Sequence, residues 1–341
     1  MFEKLIAFSL RQRVLVLIGT LALIIGGIFA FTQLSIDAVP DVTNNQVQVL
    51  TKAPALSPLE VEQFVTFPIE LTLKSIPDLV ELRSVSKAGI SVITVVFKED
   101  VDVYFARQLI LERLREAEED LPPGAQTPEL GPVSTGLGDI FRYTLRDTTG
   151  RLSPTDLRTV QDWIVRRQLL GVPGLAEVNS LGGYVKQYHV LVDPERLNAY
   201  HLTLREVFEA TSRASGTSGG AYIESGPEQF SVRSVGLVRK IEDLDNTVVK
   251  TTATGTPVFL KDVADVEVGS AIRFGSASEG GKGEVVAGWT MQLAHANARV
   301  TVNAVKERVE EIQASLPEGV VIEPYYDRTM LVGRTIKTVA T

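Results

Sequence analysis

The side chains that most often bind metal ions or act as nucleophiles are scarce in this chain. Its three histidines are His189, His201 and His295, and it has no cysteine. No histidine has another histidine three or four residues away, the spacing that would place two imidazoles on one face of a helix. The absence of cysteine excludes disulfides, thiolate metal ligands and cysteine nucleophiles. We therefore predict core or surface roles for the three histidines.

The rest of the sequence indicates no enzymatic chemistry. The glycine-rich stretches GTSGGA (216–221) and SEGGKGE (278–284) lack the spacing of a phosphate-binding loop, so we interpret them as mobile loops. No Ser/His/Asp or Cys/His arrangement suggests hydrolysis. The three methionines neither indicate nor exclude a thioether copper site. We expect no catalytic residue, no bound cofactor and no enzymatic activity.

The composition predicts a folded, acidic chain with two or three domains. Of its 341 residues, 44% are apolar and 22% are charged, so a packed core is expected rather than disorder. The formal net charge of −8 argues against a nucleic-acid-binding protein, because phosphate binding needs clustered lysine and arginine.

A long uncharged segment near the N-terminus predicts a membrane-spanning helix. No residue from Val14 to Ile36 is charged, and about 20 apolar residues suffice to cross a bilayer. A cleavable signal peptide is the alternative, but its apolar core would be shorter and would end at a small-residue cleavage site. The positive-inside rule places residues 1–13 in the cytoplasm and the chain from about residue 35 outside it. The charges behind this orientation are Lys4, Arg11 and Arg13 before the span, and Asp37 and Asp41 after it.

An internal repeat indicates how the rest of the chain is built. The stretch SPLEVEQFVTFPIELTLKSIPDLVELRS (57–84) aligns with SPTDLRTVQDWIVRRQLLGVPGLAEVNS (153–180), 96 residues later. In each copy a serine can cap a helix and the following proline suits its first position. A second proline then ends the helix, and an alternating strand follows.

A second aligned pair completes the repeat and exposes an insertion. ERLREAEEDLPPG (112–124) aligns with ERVEEIQASLPEG (307–319), 195 residues later, and a strand precedes each of them, at 90–97 and 285–292. The element order in each copy is β-α-β-β-α-β, which is typical of ferredoxin-like units. The second offset exceeds the first by 99 residues, so the second copy is interrupted by about that many. The predicted fold class is α+β: an N-terminal transmembrane helix, then two ferredoxin-like units, the second interrupted by an α+β insertion.

Several longer blocks resemble a known family of transporters. LSIDAVPDVTNNQVQVLTKAPALSPLEVEQFVTFPIE, GPVSTGLGDIFRYTL and VPGLAEVNSLGGYVKQYHVLVDPERL resemble the heavy-metal-efflux branch of the resistance–nodulation–division (RND) pumps. Cobalt–zinc–cadmium and copper–silver exporters belong to that branch. Members are longer than this chain, so the resemblance implies an N-terminal part of such a transporter.

The resemblance assigns a role to each predicted segment. It implies a cytoplasmic N-terminus and first transmembrane helix at 1–34, and the approach to a second transmembrane helix at 329–341. The periplasmic segments would be a first porter subdomain at 35–133, a second porter subdomain split between 134–182 and 274–328, and a docking subdomain at 183–273.

The resemblance also implies a function, a location and partners. The expected function is proton-driven export of divalent or monovalent heavy-metal cations, from periplasm or cytoplasm, through a tripartite complex. The expected location is the bacterial inner membrane, in contact with lipid. The expected partners are two further copies in a homotrimer, a periplasmic membrane-fusion adaptor and an outer-membrane channel, and no nucleic acid.

Two carboxylates are the candidate metal ligands. In related pumps, acidic residues in the neighbourhoods of Asp139 and Glu177 line a cleft between porter subdomains. Asp139 ends the loop STGLGD, and Glu177 lies on the strand after the helix of the second repeat. A few partly hydrated oxygen ligands would release a transported ion more readily than a closed His/Cys cage. Against this role, the repeat equivalent of Glu177 is the equally acidic Glu81, which suggests a structural or solvated position.

Two other functions stay open at the level of sequence. A related pump for amphiphilic organic compounds would need an aromatic-lined pocket, and the 7% of aromatic residues are scattered along the chain. A membrane-anchored scaffold that does not transport would keep the fold and lose the transport chemistry.

Overall fold

A computed structural model describes residues 11–33, 42–225, 228–252, 255–273, 275–281 and 283–340. The fold is α+β, with antiparallel sheets. The chain divides into two compact units, one formed by 1–146, 163–180 and 287–341, and the other by 147–162 and 181–286.

The first helix lies where a membrane-spanning helix is predicted. Helix α1 (Arg13–Gln33) is, among the described residues, the one helix long and apolar enough to cross a membrane. Its stretch Arg13–Ala30 has a mean hydropathy of 2.3, and its large side chains, such as Leu23, are exposed. Lys4, Asp37 and Asp41, which orient the predicted span, and its boundary at 34–35 lie outside the described residues.

The first repeat forms a four-stranded antiparallel sheet in the order β2-β3-β1-β4. Its first helix begins as predicted, because the Ser57 hydroxyl accepts a hydrogen bond from the Glu60 amide and the Glu60 carboxylate accepts one from the Ser57 amide. The alternating strand at 90–97 buries Ile93 and Val95 against the helices. The elements in chain order are β1 (Gln46–Lys52), α2 (Pro58–Val61), α3 (Phe67–Leu73), β2 (Leu79–Lys87), β3 (Ile90–Phe97), α4 (Val103–Glu118) and β4 (Glu129–Leu130).

The second repeat has the same order of elements around a second sheet. Strand β14 lies between β5 and β6, and β15 borders β5 on its other side. The long helix α11 buries a stripe of apolar residues that includes Val302, Val305 and Ile312. The elements are β5 (Asp139–Asp147), α5 (Pro154–Val160), α6 (Arg166–Leu169), β6 (Leu175–Leu181), then β13 (Ala277–Ser278), β14 (Glu284–Gln292), α11 (Ala298–Gln313), β15 (Val320–Asp327) and α12 (Arg328–Ala340).

The first helix of each repeat contains a π-helical turn that the sequence pattern does not predict. The turn spans Glu62–Thr66 between α2 and α3, and Gln161–Val165 between α5 and α6. In the first repeat, Pro68 has no N–H for the α-helical bond to Phe64, which favours a wider turn just before it. The second helix has no proline after its first position, so proline alone does not cause the π turn.

The segment between β6 and β13 forms a separate small core. Strands β7 and β12 pair in antiparallel register from Val192–Ala264 to Lys186–Ser270, and Leu260 and Val263 are fully buried beside them. The elements are β7 (Lys186–Val192), α7 (Pro194–Ala199), α8 (Leu204–Arg213), β8 (Gly216–Ser225), β9 (Glu228–Gly236), α9 (Ile241–Asp245), β10 (Val248–Thr251), β11 (Pro257–Phe259), α10 (Leu260–Val263) and β12 (Ala264–Ser270).

Two sequence interpretations in this segment are wrong. The glycine tract at 216–220 is not a loop but the first half of β8, because it pairs with β9 in an antiparallel hairpin. Alternating apolar residues in PVFLKDVADVEVG (257–269) predict one strand there, but the short helix α10 interrupts it between β11 and β12. Here pairing and packing override the local preference of glycine for loops.

We expect the carboxyl group of Glu206 to titrate far below its usual range. Its hydrogen bond with Lys250, 2.8 Å long, and those with the amide and hydroxyl groups of Thr203 lower its pKa from 4.5 to about 2. A depressed pKa in the folded state means that the stabilisation is complete above pH 4.5 and is lost as the pH falls through about 2. Carbon NMR of the carboxyl group should show this value, and Lys250→Gln should move it upward. A pKa near 4.5 in the unchanged chain would contradict the hydrogen bonds described between Glu206 and its partners Lys250 and Thr203.

Candidate metal-binding site

Asp139, the first candidate ligand, begins strand β5 and forms an ion pair with Arg142. The Arg142 Nε donates to Asp139 Oδ2 over 2.6 Å, and this hydrogen bond raises the pKa of the guanidinium. The other carboxylate oxygen, Oδ1, is buried and has no hydrogen-bond partner among the described residues. The side chain keeps 20% of its surface exposed. One oxygen of Asp139 is therefore held by Arg142, whereas the other is buried.

Glu177, the second candidate ligand, lies in the middle of strand β6 and is half-buried. Its repeat equivalent, Glu81 on β2, is exposed. The two positions are thus equally acidic but not equally placed. The burial of Glu177 is a property of the second repeat alone.

The structure brings both carboxylates to the same end of one sheet. The Gln292 amide at the end of β14 donates to the carbonyl of Gly138 over 2.7 Å, and the Leu293 amide donates to that of Gly174 over 2.8 Å. The starts of β5 and β6 therefore flank the end of β14. Two strand spacings separate the β5 and β6 backbones, about 10 Å.

The candidate site is poor in ligands. Within the part of the chain that the structure describes, no group of three or more His, Cys, Asp or Glu side chains could hold a metal ion. A closed zinc site has four ligands about 2 Å from the ion. Asp139 and Glu177 offer carboxylate oxygens on separate strands, an arrangement suited to a hydrated, exchangeable cation rather than a resident one.

The three histidines lie on one strand and in two turns. His189 lies on β7 opposite Glu267, and its ring covers Gly269, where an added Cβ would be 2.2 Å from Nδ1. His201 and His295 are exposed turn residues with positive φ. Their surface or core roles stay a prediction.

Three residues near the site were not predicted from the sequence. Arg142 is three positions from Asp139 on a strand, where simple alternation would put the two side chains on opposite faces. Gln292 carries a second buried oxygen, Oε1, without a partner among the described residues. Arg328, distant in sequence, donates a hydrogen bond to the carbonyl of Leu137 in the loop before Asp139. No local pattern signals any of these contacts.

Comparison with known proteins identifies the family. The family model described as AcrB/AcrD/AcrF matches residues 5–341. The chain is 46% identical to the cobalt-zinc-cadmium resistance protein CzcA of Cupriavidus metallidurans, over 99% of this chain and 32% of that protein. It is 39% identical to the cation efflux system protein CusA of Escherichia coli, over 98% of this chain and 32% of that protein.

A solved structure agrees with these relatives. The X-ray crystal structure of a heavy metal efflux pump, crystal form II, superposes with a TM-score of 0.89 at 32% identity and covers 98% of this chain and 33% of that one. The chain thus spans about a third of the length of the proteins it matches. Since the family model extends over nearly all of its residues, the chain belongs to the AcrB/AcrD/AcrF family.

Proposed function

We propose that this chain is the N-terminal part of a proton-driven RND transporter that exports heavy-metal cations. The observation that carries the proposal is the 46% identity, over 99% of the chain, to a protein named for cobalt, zinc and cadmium resistance. The similarity to CusA, named as a cation efflux protein, points to the same class of cargo. Export of amphiphilic compounds and a role as a non-transporting scaffold have no comparable support.

The two repeats would be ferredoxin-like porter subdomains. Both have the element order β-α-β-β-α-β, and in both the sheet order is second, third, first and fourth strand. We assign the first porter subdomain to 35–133, the second to 134–182 and 274–328, and the docking subdomain to 183–273. Residues 1–34 and 329–341 would belong to the first transmembrane helix and to the approach to the second.

We place the chain in the bacterial inner membrane with its sheets in the periplasm. The apolar helix α1 supports an anchor, and basic residues such as Arg11 and Arg13 favour a cytoplasmic N-terminus. By family resemblance, the complete transporter would act as a homotrimer with a periplasmic adaptor and an outer-membrane channel.

Asp139 and Glu177 would contact the cation during its passage. The buried, unpartnered Oδ1 of Asp139 supports this role, because a buried carboxylate oxygen without a donor is costly unless a cation or water binds it. Carboxylate oxygens bind zinc and other divalent ions, and two such ligands leave several positions for water. Such a site would bind its cargo weakly and release it readily.

The experiment is calorimetry on the 341-residue chain in lipid nanodiscs, with zinc, cobalt and cadmium. We expect weak binding, and about a tenfold weaker affinity in each of Asp139→Asn and Glu177→Gln, because each change removes one charged ligand. Glu81→Gln is the matched control, since it removes the repeat equivalent of Glu177 from an exposed position.

Two outcomes would contradict the proposed ligands. One is no binding of any of the three metals to the unchanged chain. The other is an equal effect of Glu81→Gln and Glu177→Gln, which would indicate general electrostatic attraction rather than a site.

A further inference from the structure

The start of helix α12 contacts the loop that leads into Asp139. Arg328, the first residue of α12, is only 5% exposed, and its Nη1 donates a hydrogen bond to the carbonyl oxygen of Leu137. Leu137 is two residues before Asp139, whereas Arg328 is 191 residues after Leu137 in sequence. A buried guanidinium needs acceptors for its N–H groups, and here a loop carbonyl is one of them.

The first turn of α12 is itself firmly held. The amide and hydroxyl groups of Thr329 both donate to Asp327 Oδ1, over 2.8 and 2.6 Å. Lys306 of α11 forms an ion pair with Asp327 and donates to the Thr329 hydroxyl over 3.1 Å. Burial acts to raise the pKa of Asp327, but the hydrogen bonds from Lys306 and Thr329 outweigh it and lower that pKa. Val332, one turn later, is also buried.

A second connection runs from the same segment to the carboxylate. Tyr326, at the end of β15, lies under the guanidinium of Arg142, which is 5.6 Å from the ring centroid. Arg142 in turn holds Oδ2 of Asp139. The segment 326–328 is therefore connected to Asp139 in two ways. Arg328 contacts the backbone of the loop before Asp139, and Tyr326 contacts Arg142, which pairs with the Asp139 carboxylate.

We propose that Arg328 is a positioning residue that fixes the loop 134–138 and thereby the carboxylate of Asp139. A displacement of α12 then moves the Leu137 carbonyl and, with it, the start of β5. The inference rests on the proposed function only in assigning the cation to Asp139. The contact by which Arg328 holds the loop does not depend on the cation.

Hydrogen exchange on the metal-free chain in nanodiscs tests the link. In Arg328→Gln, we expect amides in 134–139 to exchange about tenfold faster, while those of 141–146 and of α11 keep their rates. Arg328→Lys should restore part of the protection, because lysine keeps the charge but not the planar fork. Arg334→Gln, an exposed arginine on the same helix, should change nothing.

Two results would overturn the link. Unchanged exchange in 134–139 would show that Arg328 does not hold the loop. A uniform increase across the unit would show that Arg328 serves only general stability.

A cobalt titration of the same variants tests the consequence for the carboxylate. Arg328→Gln should weaken cobalt binding about tenfold relative to the unchanged chain and to Arg334→Gln. A faster-exchanging loop with unchanged affinity would overturn the claim that the loop positions Asp139. If the unchanged chain binds no cobalt, the proposed cation site fails, and the exchange result still decides whether Arg328 holds the loop.

Discussion

Alanine in place of Gly288 is expected to lower the free energy of unfolding of the unit that contains it by about 3 kcal/mol. Gly288 lies in the centre of β14, against the ring of Tyr143 on the neighbouring strand β5. An added Cβ would lie 2.3 Å from Tyr143 Cζ and 2.5 Å from its hydroxyl oxygen. Tyr143 is 0% exposed, so its ring cannot swing away without displacing other core side chains.

Urea denaturation followed by tryptophan fluorescence measures this effect. Both tryptophans, Trp163 and Trp289, belong to the same unit as Gly288 and report its unfolding. Gly333→Ala is the control, because Gly333 is exposed on α12 with no atom within 4 Å of an added Cβ. It should stabilise the helix by about 0.5 to 1 kcal/mol. Equal denaturation midpoints for Gly288→Ala and the unchanged chain would mean that the Tyr143 ring is loosely packed.

Local patterns predicted the elements of the two repeats with useful accuracy. The strand at 90–97 has the predicted bounds, and the helix that begins after Ser57 has the predicted cap. Such features depend on side chains within a few residues of each other, so the sequence carries them directly. The repeat adds a second, independent prediction of the same pattern, and its two offsets predict an insertion in the second copy.

The features that the sequence did not predict depend on partners far along the chain. The glycine tract in β8 forms a strand because β9 pairs with it, although glycine alone favours a turn. The hydrogen bond between Arg328 and Leu137 joins residues 191 positions apart. Sequence spacing gives no measure of such contacts, because they form only after the sheet is assembled.

The candidate site was predicted from the sequence only in part. The sequence placed Glu177 on a strand, as the structure does, and Asp139 at the end of a loop, whereas the structure begins β5 with it. Neither the sequence nor the resemblance gave an account of what surrounds each carboxylate. The ion pair with Arg142 and the contrast in burial between Glu177 and Glu81 come from the tertiary structure. A test of cation binding therefore needs Glu81 as its control, a choice that the repeat suggests and the structure justifies.

Gly182→Ala is expected to destabilise the unit that contains residues 181–286 by about 4 kcal/mol, since it combines backbone strain with a collision against backbone. Gly182 has φ +76°, and an added Cβ would be 2.1 Å from the Val285 carbonyl oxygen. Its own carbonyl accepts a hydrogen bond of 2.8 Å from Arg158, and the next amide, of Gly183, donates to Glu284 over 3.0 Å. The Gly182 carbonyl cannot move away without breaking its hydrogen bond with Arg158.

Gly150→Ala separates the cost of backbone strain from the cost of the collision. Gly150 has φ +68° and nothing within 4 Å of an added Cβ. It should lose only about 1 kcal/mol, the conformational part. Hydrogen exchange in β7 and β12, which pair along their full lengths within this unit, measures both variants. Exchange should rise far more in Gly182→Ala than in Gly150→Ala, because only the former has to displace a backbone carbonyl. Equal exchange in the two variants would mean that strain alone matters and that the junction tolerates a side chain. A selective loss of protection in this unit, with the tryptophan-reported unit unchanged, is the result that fits a junction closely packed at Gly182.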